Sequence, residues 1–132
     1  MKRFFYIFII AILFISCTDE DNIGTNINTI NLTVNTNDWV WNNTGRYYSA
    51  TFNMPEINNW KYNNAVISVY KVHEYTTQPL PVVTYKEDQN GYKWSNTTDY
   101  EYEPGYITIY STNSDFYNSR PESMNFKVAI IW

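Results

Sequence analysis

Cysteine and histidine occur once each in the 132 residues, glycine four times, and Lys and Arg together nine times. Each scarcity excludes something. A single cysteine forms no internal disulfide, no Cys-based zinc site and no iron–sulfur cluster. One histidine beside one cysteine leaves no His/Cys metal cage. Nine basic residues against thirteen acidic ones, with a sequence pI near 4.8, do not supply the basic face that nucleic acid requires. The glycines Gly24, Gly45, Gly91 and Gly105 are scattered among turn-like contexts, so no phosphate-cradling loop exists. Alanine and leucine, the residues of long helices, are also sparse. Aromatics are not: five Trp, thirteen Tyr and seven Phe stand in the chain. The length is that of one domain with a real hydrophobic core.

The one long apolar run is short by membrane standards. Lys2 and Arg3 precede twelve uninterrupted apolar residues at positions 4–15. As a helix these reach about 18 Å, well under the ~30 Å of a hydrocarbon core. A basic start followed by such a run reads as a signal peptide. It ends in Phe14-Ile15-Ser16-Cys17, which resembles the lipobox of bacterial lipoproteins, with Phe14 where Leu is usual. That resemblance implies cleavage between Ser16 and Cys17 and acylation of Cys17, which then binds a lipid bilayer through its acyl chains at about 0.8 kcal/mol per buried CH₂. Thr18, Asp19, Glu20 and Asp21 follow; this acidic stretch looks like the surface-export signal of Bacteroidota lipoproteins. In physical terms it is a solvated charge run. Loss of Lys2 and Arg3 takes the formal charge from −4 to −6. The expected organisation is a signal helix over residues 1–16, a lipidated flexible tether over 17–29 and a folded domain over 30–132. The expected location is the outer membrane, on the cell surface.

Beyond the tether, period-two alternation of apolar and polar residues dominates. Ile30, Leu32 and Val34 alternate with Asn31, Thr33 and Asn35. Trp39 and Trp41 flank Val40. Tyr48, Ala50 and Phe52 alternate with Ser49, Thr51 and Asn53. Residues 65–73 form a strand apolar on both faces, and Phe126, Val128, Ile130 and Trp132 form one face of the last strand. Residues 82–86 and 92–96 flank a loop containing Asn90-Gly91, a strong hairpin signal. Pro104-Gly105 turns the chain from Tyr100 and Tyr102 into Tyr106, Thr108 and Tyr110, which face away from Ile107 and Ile109. Two short helical turns are predicted, over residues 55–61 and 115–118. Pro79 and Pro81 delay the next strand to Val82. The expected fold is all-β: an antiparallel two-sheet sandwich of about eight strands, immunoglobulin-like or jelly-roll-like.

Candidate chemistry is thin. His73, at a strand end beside Glu74, has no nucleophile partner in sequence. Asp99, Glu101 and Glu103 point to one side of a strand, about 7 Å apart. Such a row suits a solvent face shielding a sheet edge, and less well an acid/base pair of a glycan hydrolase or a calcium site. No enzyme, cofactor or metal is expected. The aromatic surplus points instead to binding. Trp39, Trp41, Trp60 and Trp94 lie near Asn-rich turns, and exposed rings with neighbouring Asn and Asp are how a sugar is stacked and hydrogen-bonded. The same residues equally fit core packing on a pleated sheet. The expected partner is an unidentified protein or a glycan. Three N-glycosylation sequons, Asn31-Leu32-Thr33, Asn42-Asn43-Thr44 and Asn96-Thr97-Thr98, would stay bare in a bacterial lipoprotein.

The domain resembles a group of small Bacteroidota lipoproteins with no assigned activity. The residues that carry the likeness are Asp38-Trp39-Val40-Trp41, Tyr47-Tyr48-Ser49-Ala50-Thr51-Phe52-Asn53-Met54-Pro55-Glu56-Ile57, Leu80-Pro81, Pro104-Gly105-Tyr106-Ile107-Thr108-Ile109-Tyr110, Asp115-Phe116, Arg120-Pro121 and Phe126-Lys127-Val128-Ala129-Ile130-Ile131-Trp132. The resemblance implies a lipid-anchored domain and no catalytic residue. Some of these relatives carry a Gly-rich, collagen-like stretch between lipid and domain; this chain lacks one.

Overall fold

The structure, a computed structural model, describes residues 24–132. The signal segment, Ser16, Cys17, Thr18, Asp19, Glu20 and Asp21 lie outside the described residues. Nine strands and one short helix follow one another: β1 (Ile27–Val34), β2 (Val40–Asn42), β3 (Tyr47–Met54), α1 (Asn59–Asn64), β4 (Val66–Val72), β5 (Thr77–Pro79), β6 (Val82–Glu87), β7 (Lys93–Glu103), β8 (Gly105–Asn113) and β9 (Met124–Ile131). They form two antiparallel sheets, ordered β1-β9-β4-β5 and β2-β3-β8-β7-β6. The fold is therefore an all-β two-sheet sandwich.

Alternation explains the layering. Tyr48, Ala50, Met54, Ile107 and Ile109 of the five-stranded sheet are buried against Val34, Ile67, Val69, Phe126, Val128 and Ile130 of the four-stranded one. Tyr100 crosses between the layers, its hydroxyl donating to the Ile67 carbonyl at 3.1 Å. Strand β9 lies between β1 and β4 along nearly its whole length, which is why its inward residues Phe126, Val128 and Ile130 are almost solvent-free.

Several local readings need correction. Ile27, Asn28 and Thr29 are not tether: they pair with Ile131, Ile130 and Ala129, and β1 begins three residues earlier than its alternation indicates. Residues 92–96 and 99–103 are not two strands. Apart from Tyr92, which stays in the hairpin loop, they belong to one eleven-residue strand, β7, that runs straight through Asn96-Thr97-Thr98. The helix starts at Asn59, not at Pro55, because Asn58 is the residue whose side chain caps it, accepting from the Lys61 N–H at 2.9 Å. Pro55 and Glu56 instead make the turn that precedes it, closed by Ile57 N–H to the Met54 carbonyl at 3.0 Å. Residues 115–118 form no helix. Phe116 has φ 55°, a left-handed conformation that ends any right-handed turn, and Asp115 accepts from the Tyr117 N–H at 3.1 Å as an Asx turn. The Asn90-Gly91 hairpin is present, with Gly91 at φ 80° and Asp88 Oδ1 accepting from both Asn90 and Tyr92 N–H groups.

Strand register divides the loops between two ends of the sandwich. Ile27, Ile131 and Val66 stand side by side at one end, where α1 and the β7–β8 turn also lie. At the other end are the β2–β3, β6–β7 and β8–β9 loops, brought together because β3 starts, β6 ends, β7 starts and β8 ends there.

Candidate binding groove

The loops at the second end enclose three adjoining depressions. The first, about 550 Å³, is lined by Tyr85, Lys86, Glu87, Lys93, Trp94 and Ser95. The second, about 500 Å³, is lined by Asp88, Tyr92, Trp94, Asn113, Asp115, Tyr117 and Ser119. The third, about 440 Å³, is lined by Trp41, Asn43, Arg46, Phe116, Tyr117 and Asn118. Trp94 borders the first two and Tyr117 the last two, so the three are compartments of one groove.

Local chemistry fixes its walls. Tyr92 and Trp94 stack at 5.9 Å with planes 25° apart, at the end of the hairpin that Asp88 and Gly91 turn. Trp41 leans on Tyr48 at 5.0 Å, and the Tyr48 hydroxyl donates to the Asn118 side chain, tying the β8–β9 loop to β3. Arg46 and Phe116 both have φ 55°, and both line the third compartment. Two non-glycine residues in a left-handed conformation, each costing about 1–2 kcal/mol, meet at one depression; backbone strain of this kind collects at functional sites. Tyr117 is 70% exposed, a large apolar surface left in water.

Beneath the groove lies a polar ladder inside the sandwich. Asn96 and Thr98 of β7 and Ser111 and Asn113 of β8 are buried and face the interior. Asn96 Nδ2 donates to Ser111 Oγ and Asn113 Oδ1, both at 2.9 Å, and Asn113 Nδ2 donates to the Tyr117 carbonyl at 3.2 Å. No buried polar side-chain atom among the described residues lacks a partner.

The four sequence-flagged tryptophans do not come together. Trp39 is 1% exposed, its indole N–H donating to the Glu122 carbonyl at 3.2 Å; it is a core residue and not a ligand platform. It precedes β2 by one residue, where the turn at Thr36–Asp38 swings the ring under the sheet. Trp41 and Trp94 line the groove. Trp60, 57% exposed on α1, belongs to the opposite end. The sequence reading missed Tyr92, Tyr117, Phe116 and Arg46. An aromatic shortly after a turn-forming aspartate (Tyr92 four residues after Asp88, Tyr117 two after Asp115) was the available signal.

The acidic row takes a different place. Asp99, Glu101 and Glu103 face outward on β7, opposite Tyr110, Thr108 and Tyr106 of β8. Strand β6 pairs with β7 only from Lys93 to Thr98, so the stretch that carries the row has no strand beyond it among the described residues and forms the sheet edge there, which the three carboxylates shield. Asp99 Oδ1 accepts from the Tyr100 N–H at 2.7 Å and Glu101 accepts from the Tyr110 hydroxyl. Glu101 and Glu103 border a depression of about 260 Å³ with Tyr106 and Thr108. No group of three His, Cys, Asp or Glu side chains among the described residues is placed to hold a metal. His73 sits in the β4–β5 turn, its Nε2 3.2 Å from Gln78 Oε1.

Burial, then the hydrogen bond to the Glu101 carboxylate, push the Tyr110 phenol well above its ordinary value near 10. The folded state therefore keeps this proton at a pH where the unfolded chain has lost it. The stability it contributes is intact below about pH 10 and declines as pH rises beyond. Tyr110→Phe is expected to flatten the alkaline limb of a stability–pH curve between about pH 10 and 12 and to lower the neutral plateau by the one hydrogen bond to Glu101 that it removes. Chemical denaturation at stepped pH reads this directly, and an unchanged limb would show that other tyrosines carry it.

Comparison with known protein families, with characterised proteins and with solved structures finds no match to this chain.

Proposed function

We propose that this protein is a lipid-anchored lipoprotein of the bacterial outer membrane, non-catalytic, whose groove binds a glycan at the cell surface. The observation that carries the binding reading is the groove itself: stacked Tyr92 and Trp94, exposed Tyr117, and the amide and carboxylate groups of Asn113, Asp88 and Asp115 around one opening. Flat rings offer apolar faces to the C–H side of a pyranose, and the neighbouring oxygens and amides bond its hydroxyls. Three compartments divided by Trp94 and Tyr117 suit an oligosaccharide rather than a single sugar. The central compartment carries two aspartates and no lysine or arginine, which favours neutral sugars over uronic acids.

The anchor reading rests on the lipobox at Ser16-Cys17, the acidic residues after it and the likeness to Bacteroidota lipoproteins. It is geometrically consistent with the groove, since β1 enters the sandwich at the end opposite the groove. A tether from Cys17 would leave the groove pointing outward.

Two measurements test the pair. Cys17→Ala is expected to move the protein from the membrane fraction to the soluble one, and protease treatment of intact cells to remove the wild-type domain. On an array of neutral oligosaccharides the protein should bind, and Trp94→Ala should weaken that binding about tenfold, the equivalent of roughly 1.4 kcal/mol of lost stacking. Trp60→Ala should leave it unchanged. An array without signal, or equal affinity for the Trp94 variant, would remove the glycan reading in favour of a protein partner.

A further inference from the structure

The outer face of the four-stranded sheet changes character at one end. Its register rows read Thr33–Asn125–Val72, Asn31–Lys127–Tyr70 and Thr29–Ala129–Ser68, each with at least one polar side chain for water. The last row is Ile27–Ile131–Val66 and has none. Ile27 is 65% exposed and Val66 is 62% exposed, values at odds with three adjacent aliphatics on a solvated surface. Two tryptophans lie at the same end of the sandwich. Trp132 continues β9 past Ile131 and pairs with Asn26 through both backbone groups, at 2.8 and 3.0 Å. Lys61 of α1 places its Nζ 3.6 Å from the centre of the Trp132 ring. Trp60, next to it on α1, is exposed.

Aliphatic residues, an exposed indole and a lysine ammonium held over a second indole form a composition that settles at a membrane interface, where rings and cations sit among the headgroups. The placement agrees. Ile27 follows Cys17 by ten positions, so an acylated Cys17 would hold this end within about 35 Å of the bilayer even at full extension. At that tethering distance the effective concentration of headgroups is high, and a weak patch suffices.

We propose that this end of the sandwich, through Ile27, Val66, Ile131 and Trp60 with Lys61 and Trp132, rests in the headgroup region of the membrane that carries the anchor. The inference depends on the lipid-anchor reading and concerns a surface distinct from the groove. Docking gives the domain one orientation on the membrane, with the groove turned away.

The test uses the full lipidated chain in phosphatidylcholine vesicles whose acyl chains are brominated near the headgroup. Tryptophan emission is expected to be quenched. Trp60→Phe should remove about half of that quenching or more, Val66→Thr should reduce it, and Trp94→Phe should leave it unchanged. Mass spectrometry of the N-terminal peptide separates the two readings. A chain without acyl groups on Cys17 overturns the anchor. An acylated chain whose emission the bromolipid leaves unaffected, or is quenched equally in the Trp60→Phe variant, overturns the docking alone. Self-association that buries Trp60 equally in vesicles and in detergent would assign the surface to a second copy and overturn it as well.

Discussion

Replacing Trp39 by alanine is expected to lower the unfolding free energy by about 3–5 kcal/mol, the range for deleting a fully buried large aromatic. The ring is 1% exposed and shares the central cluster with Val34, Ile57 and Phe126. Its loss opens a cavity that the two flanking sheets cannot close, because both are hydrogen-bonded ladders held in register. The indole N–H also satisfies the Glu122 carbonyl at 3.2 Å, which is one link between the start of β2 and the chain entering β9. Net stabilities of domains this size lie near 5–15 kcal/mol, so the variant keeps a small margin or none. Trp39→Phe should lose less, since most of the volume remains and only the hydrogen bond goes. Trp60→Ala, on an exposed helical site, should stay within about 0.5 kcal/mol of wild type. Urea midpoints followed by far-UV circular dichroism check all three. A loss below about 1 kcal/mol for Trp39→Ala would show that the core closes around the gap.

That contrast also marks what could be read from the sequence. Within strands, side-chain parity is rigid, and residues such as Ile107, Ile109, Phe126 and Val128 declared their face correctly. So did the acidic row, set opposite Tyr100 and Tyr102. At a strand end parity tells which side a ring takes but not how deep it lies. Trp39 and Trp41 flank exposed Val40 and both turn to the core side, yet Trp39 is fully buried while Trp41, at the margin of the core beside Tyr48, is only partly covered and borders the groove. Polar residues misled in a second way. Asn96-Thr97-Thr98 has the composition of a turn, but its polar atoms find partners on β8, so a strand passes through it. Strand order was out of reach for a different reason: β9 pairs with β1 and β4, and such long-range pairing leaves no local pattern.

The groove is illegible for the same cause. Its walls come from three loops separated along the chain by forty residues or more in places, and only the sheet order β2-β3-β8-β7-β6, which sets β8 beside β3, gathers them. What the sequence did carry was the raw material, an excess of Tyr and Trp beyond the needs of a small core. The structure sorts that excess by place. Trp39 fills the interior, Trp41, Trp94, Tyr92 and Tyr117 border the groove, and Trp60 and Trp132 stand at the far end.

Asn96→Ala is the second change expected to act strongly, and it links core to groove. Asn96 is 4% exposed, and its amide donates to Ser111 Oγ and Asn113 Oδ1, both at 2.9 Å. Alanine removes both donors, leaves Asn113 Oδ1 facing an apolar interior, and deprives the Thr98 hydroxyl of its acceptor at 3.4 Å. Stranded buried polar groups cost about 1–3 kcal/mol each; partial relief by rotation of the two hydroxyls brings the expected loss to about 2–3 kcal/mol. The consequence reaches further than stability. Asn113 uses its own amide to hold the Tyr117 carbonyl at 3.2 Å, and Tyr117 divides two compartments of the groove. An Asn113 side chain released from Asn96 is free to rotate, and the loop it holds loosens with it. Asn96→Ala should therefore weaken oligosaccharide binding several-fold although Asn96 borders none of the three compartments, while the Tyr92–Trp94 stack, carried by the hairpin, keeps its contribution. Denaturation and titration calorimetry on the same sample separate the two effects. A fall in stability with affinity intact would mean that the Asp115 turn and the Tyr48–Asn118 bond position Tyr117 without help from the ladder.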